Sequence, residues 1–128
     1  MVCRSEVDVV RAHGLRIRSP LSTDGDLSFR PAQVLARVED CAVPPDVLLL
    51  CTKVLPGVDR AALIRPWVSP RTAIVLVQNG IDVEPEVAQA FASNPFVSGV
   101  AYSAVSRLAP GVVKHHSQYT RLVLGGFP

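Results

Sequence analysis

Two stretches of the chain are apolar without a break. "DVLLLC" (46–51) and "TAIVLV" (72–77) show no alternation of polar and apolar positions. That pattern predicts parallel strands covered by helices on both faces. Each stretch follows turn chemistry, Pro44-Pro45-Asp46 and Ser69-Pro70-Arg71, and each leads through a polar residue into a helical pattern. "GVDRAALIRPW" reads as the first helix, ending near Pro66. "DVEPEVAQAFASNP" reads as the second, with Val83, Val87, Ala88 and Phe91 on one face. Its acids Asp82, Glu84 and Glu86 gather where the helix dipole favours negative charge. This strand-helix-strand-helix alternation argues for an open α/β sheet.

The flanks are patterned differently. "VVRAHGLRI" reads as the end of a short helix stopped by Gly14. Leu15 and Ile17 then alternate with Arg16 and Arg18, as in a half-exposed strand. "SPLSTDGDLSFRP" is turn-rich, a loop or an edge hairpin, and "AQVLARVEDC" reads as a short helix before the Pro44-Pro45 break. Near the end, "FVSGVAYSAVSRL" and "VVKHHSQYTRLVLGG" flank Ala109-Pro110-Gly111. Pro-Gly suits the two central positions of a type II turn, so an antiparallel hairpin is expected there, with a further strand at Arg121–Leu124.

Composition narrows the class. The chain has 128 residues, 48% hydrophobic and 19% charged, enough for one domain with a real core. A net charge of +2 with scattered basic residues gives no reason to expect a nucleic-acid or membrane partner. No apolar run has the length of a membrane span, and the mixed charges of "MVCRSEVDVVR" do not read as a secretory signal. Cys3, Cys41 and Cys51 are odd in number and lack C-x-x-C spacing, which fits reduced thiols in the cytoplasm. Cys51 reads as packed within its apolar run.

In open α/β sheets, ligands bind beyond the carboxyl ends of the strands. Lys53 follows the first buried run and Asn79-Gly80 follows the second. If those strands are neighbours, an ammonium and a carboxamide converge at one rim of the sheet. From the residues alone the commoner reading of the pair is a solvated lysine at a strand end and an ordinary Asn-Gly turn. His13 and His115 read as surface residues and Trp67 as a packing residue. Tyr102 and Ser103 are pocket candidates that nothing separates from ordinary strand positions.

The order and spacing of "PPDVLLLCTK", "IVLVQNGI", "VSGVAYSAVSRLAPGVVKHH" and "LVLGGF" resemble ketopantoate reductase (2-dehydropantoate 2-reductase) over nearly the whole chain. The resemblance implies an NADPH-dependent reduction of ketopantoate to pantoate, on the route to pantothenate and coenzyme A. It assigns Lys53 to the cofactor near its nicotinamide end and Asn79 to both cofactor and substrate. It matches Arg4 to the arginine that pairs with the 2′-phosphate of NADPH, as a guanidinium suits a phosphate. Val105, with Ala104, falls where the family lines the cofactor pocket. His116 falls after the Pro-Gly turn in a structural role.

The expected fold class is α/β, an incomplete Rossmann-like parallel sheet with a C-terminal antiparallel hairpin. The sequence contains no G-x-G-x-x-G motif of the kind that holds a pyrophosphate at a helix N-terminus. By comparison with the family, the chain starts at about the second strand. It stops at "GGFP", before the helical domain that supplies the catalytic lysine and a substrate-binding glutamate. The expectation is therefore a partial nucleotide-binding domain with no catalytic residue of its own and unpaired sheet edges that invite self-association. Two other readings stay open: a non-catalytic remnant or binding module of the same fold, and an oxidoreductase related to 6-phosphogluconate dehydrogenase.

Overall fold

The computed structural model describes residues 1–3 and 5–127. Its helices are α1 (Val7–His13), α2 (Arg60–Ile64) and α3 (Pro85–Ala90), with short 3-10 turns at Val38–Asp40 and Arg65–Trp67. The strands are β1 (Leu15–Arg18), β2 (Leu27–Phe29), β3 (Val47–Leu50), β4 (Ala73–Val77), β5 (Phe96–Tyr102), β6 (Val105–Ala109), β7 (Val112–His115) and β8 (Arg121–Gly126). The chain divides into two compact units, Met1–Asp40 with Tyr102–Arg121, and Cys41–Ala101 with Leu122–Pro128.

The second unit carries the two apolar runs. They form β3 and β4, which pair in parallel from Val47↔Ala73 to Leu50↔Leu76. β5 joins β4 in parallel, and β8 completes the order β3-β4-β5-β8. Leu48, Leu50, Ile74 and Leu76 point to one side and pack with Ala61, Ile64, Val83, Val87 and Phe91. Asp59 starts α2 by accepting a hydrogen bond from the Ala62 amide at 2.8 Å. Ile74 and Leu76 are at most 1% exposed, so each side chain contributes about 1.5–3 kcal/mol by leaving water. At the amino ends of the strands the polar groups satisfy one another. Thr72 donates to the Pro45 carbonyl at 2.8 Å, and Asn94 donates to the carbonyls of Ser69 and Thr72 at 2.7 and 2.9 Å.

The first unit is a sheet ordered β2-β1-β7-β6. Gly14 ends α1 at φ +73°, returning its amide to the Val10 carbonyl. β1 pairs antiparallel with β2 and parallel with β7, and β6 and β7 form the hairpin around Pro110-Gly111, with Gly111 at φ +70°. Glu6 clasps that hairpin: its carboxylate accepts from the Gly111 amide at 2.7 Å and from the Arg107 guanidinium at 2.5 Å. The Gly111 bond first, then the Arg107 bond, holds the Glu6 carboxyl below the usual glutamate range. A lowered folded-state pKa adds stability above the ordinary value near 4.3, and that stability is lost as the pH falls through the depressed one. Urea midpoints measured down an acid series should therefore drop more steeply for the wild type than for Glu6→Gln, which lacks the titrating group. Parallel curves would remove Glu6 from the account.

Four expectations change. The runs 46–51 and 72–77 are not covered on both faces: β3 alternates, with Val47 and Leu49 58% and 64% exposed, because α2 and α3 lie on the same side. Cys51 shares that open parity and is exposed, although partial burial of its thiol still raises its pKa. "AQVLARVEDC" yields only the 3-10 turn, since Leu35 is held extended by a parallel bridge to Val2, with Leu35 N–H on the Met1 carbonyl at 2.9 Å. "FVSGVAYSAVSRL" is not one hairpin arm. It breaks at Ser103-Ala104 into β5, which pairs with β4, and β6, which pairs with β7.

Candidate functional site

β3 and β4 pair with a constant offset that runs past their ends. Gln78 donates to the Thr52 carbonyl at 2.5 Å and to the Thr52 hydroxyl at 3.0 Å, across the same spacing of 26 residues. One residue further on, Lys53 and Asn79 stand at that offset too. Lys53 thus follows the carboxyl end of β3 and Asn79 follows the carboxyl end of β4, just beyond the bond that ties Gln78 to Thr52. Both are exposed, and neither side chain has a hydrogen-bond or ion-pair partner among the described residues. Asn94 at the opposite rim commits both its donors within the protein, whereas Asn79 commits none. Gly80, at φ +147°, lets the chain leave β4 sharply; a Cβ there would lie 2.4 Å from Val83 Cγ1.

Beneath the rim lies a polar group that sequence reasoning missed. Arg60, only 3% exposed, donates to Gln78 Oε1 at 2.8 Å and to Glu86 Oε2 at 2.6 and 3.2 Å. Glu86 also accepts the Arg60 amide at 3.0 Å, and the Arg60 side chain holds its carboxyl below the usual range. The neighbouring Glu84 accepts from Ser98 at 2.6 Å and is lowered by that bond. Glu84 and Glu86 therefore have specific partners, beyond any interaction with the helix end. The available sequence signal was Gln78 itself, an amide at a helix-facing position of an otherwise apolar run.

The other expected residues lie elsewhere. Val105 begins β6 in the first unit and is exposed; Tyr102 and Ser103 precede it, also exposed. Arg4 lies outside the described residues. His116 is exposed with its ring 2.7 Å from the Ser106 hydroxyl, and its amide donates to the Ala104 carbonyl at 2.8 Å. His115, expected on the surface, is 6% exposed and bonded to Ser19, Ser117 and the Tyr119 carbonyl. His13 is exposed, and Trp67 packs against the core. An open cleft of about 400 Å³ in the first unit is lined by Arg18, Ser19, Lys114 and His115 among others. A second, of about 650 Å³ in the other unit, follows the 55–59 loop. Neither is lined by Lys53, Asn79 or Val105. Among the described residues no cluster of His, Cys, Asp and Glu could hold a metal, and no helix is long and apolar enough to cross a membrane.

Parallel strands β3, β4 and β5 with α2 and α3 packed against them define an α/β protein of the Rossmann-like class. Comparison narrows the class. Residues 1–128 match the sequence profile of the family described as Ketopantoate reductase PanE/ApbA, and the chain belongs to that family. It is 26% identical over 125 residues to the 2-dehydropantoate 2-reductase of Nostoc sp., covering 97% of this chain and 37% of that protein. The crystal structure of the 2-dehydropantoate 2-reductase from Methylococcus capsulatus superposes with a TM-score of 0.89 at 50% identity, over 99% of this chain and 40% of that one. The enzyme of that name from Geobacter metallireducens gives 0.82 at 28% identity, over 98% and 40%. The chain thus spans well under half the length of these relatives.

Proposed function

We propose that this chain is the nucleotide-binding part, residues 1–128, of a cytoplasmic reductase that uses NADPH to convert ketopantoate to pantoate in pantothenate biosynthesis. The observation that supports the reading is the Gln78–Thr52 bond at the carboxyl ends of the parallel strands β3 and β4, directly before Asn79 and Lys53, which are exposed and without a side-chain partner among the described residues. The ammonium offers a point charge and three donors to the nicotinamide end of the dinucleotide. The carboxamide can donate to one ligand and accept from another, as contact with both cofactor and keto acid requires. Arg4 pairs with the 2′-phosphate and Val105 lines the cofactor pocket. The fit is partial, since no G-x-G-x-x-G stands in the sequence to cradle the pyrophosphate. The family membership and the free thiols of Cys3, Cys41 and Cys51 support the reading. These residues bind and orient; no catalytic role is assigned to any of them.

Calorimetric titration with NADPH and NADH tests this. NADPH should bind the more tightly. Lys53→Ala and Asn79→Ala should each weaken it about tenfold, the worth of one good hydrogen bond to a charged group. Arg4→Ala should erase the preference over NADH. Absence of NADPH binding, or equal affinities in the Lys53 and Asn79 variants, would overturn the assignment.

A further inference from the structure

Resting on that reading of the rim, we propose that Gln78 is a positioning residue that sets the spacing of Lys53 and Asn79. The backbone register between β3 and β4 ends at Leu50↔Leu76. Beyond it, the two strand ends are joined by a side chain: Gln78 Nε2 holds both the carbonyl and the hydroxyl of Thr52, at 2.5 and 3.0 Å. Thr52 immediately precedes Lys53, and Gln78 immediately precedes Asn79. The amide therefore replaces the missing rungs of the ladder at the point where the two functional side chains leave it.

The clamp is itself held. Its oxygen accepts from buried Arg60, whose other donors reach Glu86 on α3, so that α3, α2, β4 and the end of β3 form one chain of bonds. Gln78 is 8% exposed and its orientation is set from both sides, by a donor that needs its oxygen and a carbonyl that needs its nitrogen. An amide meets both demands at once, whereas a carboxylate meets only the first.

That asymmetry supplies the test. In the full chain, Gln78→Glu keeps an acceptor for Arg60 but offers the Thr52 carbonyl no donor. Gln78→Leu removes both links, and Thr52→Val removes only the hydroxyl link. Hydrogen exchange where the β3–β4 ladder ends, over residues 49–51 and 76–78, should accelerate about tenfold in Gln78→Glu and Gln78→Leu and about threefold in Thr52→Val, for one or a fraction of one hydrogen bond lost. The urea midpoint should fall further in Gln78→Leu than in Gln78→Glu, which keeps the bond to Arg60. The NADPH dissociation constant should rise about tenfold in Gln78→Glu, and adding Lys53→Ala should cost less than it does alone, because the two act through one contact. Unchanged exchange over both ladder ends in Gln78→Glu and Thr52→Val would overturn the clamp, even if Gln78→Leu failed to fold. If exchange responds as expected while the wild type does not bind NADPH, the clamp stands and the dinucleotide reading falls.

Discussion

In solution this chain will migrate as a species larger than one polypeptide, at a size that rises with concentration, and Leu49→Lys will return it to a monomer. The expectation follows from β3. Among the described residues no strand pairs with its outer edge, so alternate backbone groups from Val47 to Leu50 lack ladder partners on that side. Natural edges are protected by charge, proline, bulges or short length; Val47-Leu48-Leu49-Leu50 is short but carries no charge, proline or bulge. Val47 and Leu49 add exposed apolar surface on the open face. Two such edges can pair antiparallel about a twofold axis normal to the sheet, which keeps the helices of both copies on one side and makes the contact isologous. In the register centred on residue 49, a lysine there faces its own copy across the seam, and like charges directly opposite are destabilising. Because Leu49 is 64% exposed, the change should leave the circular dichroism of the chain intact. A wild-type chain that sediments as a monomer across a wide dilution series would refute the pairing.

How much of this was legible follows from what each residue type encodes locally. Pro110-Gly111 specifies its own turn, so the β6–β7 hairpin could be read directly, as could Gly14 at the end of α1. The parallel pairing of β1 with β7 could not, because nothing in Leu15–Arg18 names a partner nearly a hundred residues away. Runs that are apolar at both parities record that a strand is hydrophobic without recording what covers it. That is why β3 reads as doubly buried and stands with one face open. The two adjacent histidines show the same limit: His115 ends β7 and turns inward to Ser19, whereas His116, the next residue, is exposed beside Ser106.

That Lys53 and Asn79 follow strand ends was legible because a polar residue ending an apolar run marks a strand end, and strand ends of parallel sheets are where ligands sit in this fold class. The order of β3 and β4 and their exact offset came only from the pairing. Arg60 was hidden for a different reason. An arginine following a helix-capping Asp59 looks solvent-exposed, and its burial depends on the coincidence of Glu86 and Gln78, each reached through tertiary contact. A buried cation of this kind is visible in a sequence only when its partners are already known.

The one-sided core makes the second large effect predictable. Ile74→Ala will cost about 2–5 kcal/mol, whereas Val47→Ala on the same parallel pair will cost well under 1 kcal/mol. Ile74 is 0% exposed and lies on β4 between β3 and β5, on the side where Val83, Val87 and Phe91 pack, so truncation leaves a cavity that the sheet backbone cannot close. Val47, more than half exposed, has little burial to lose. Against a total stability on the order of 5–15 kcal/mol, the first change removes a large share of what holds the fold. Urea unfolding of both variants should be measured in the Leu49→Lys background, so that association through β3 contributes nothing to either midpoint. Comparable losses at the two positions would mean that the face bearing Val47 and Leu49 is covered in solution. The core of this unit would then not be one-sided, and the open edge of β3 would not be the seam through which copies associate.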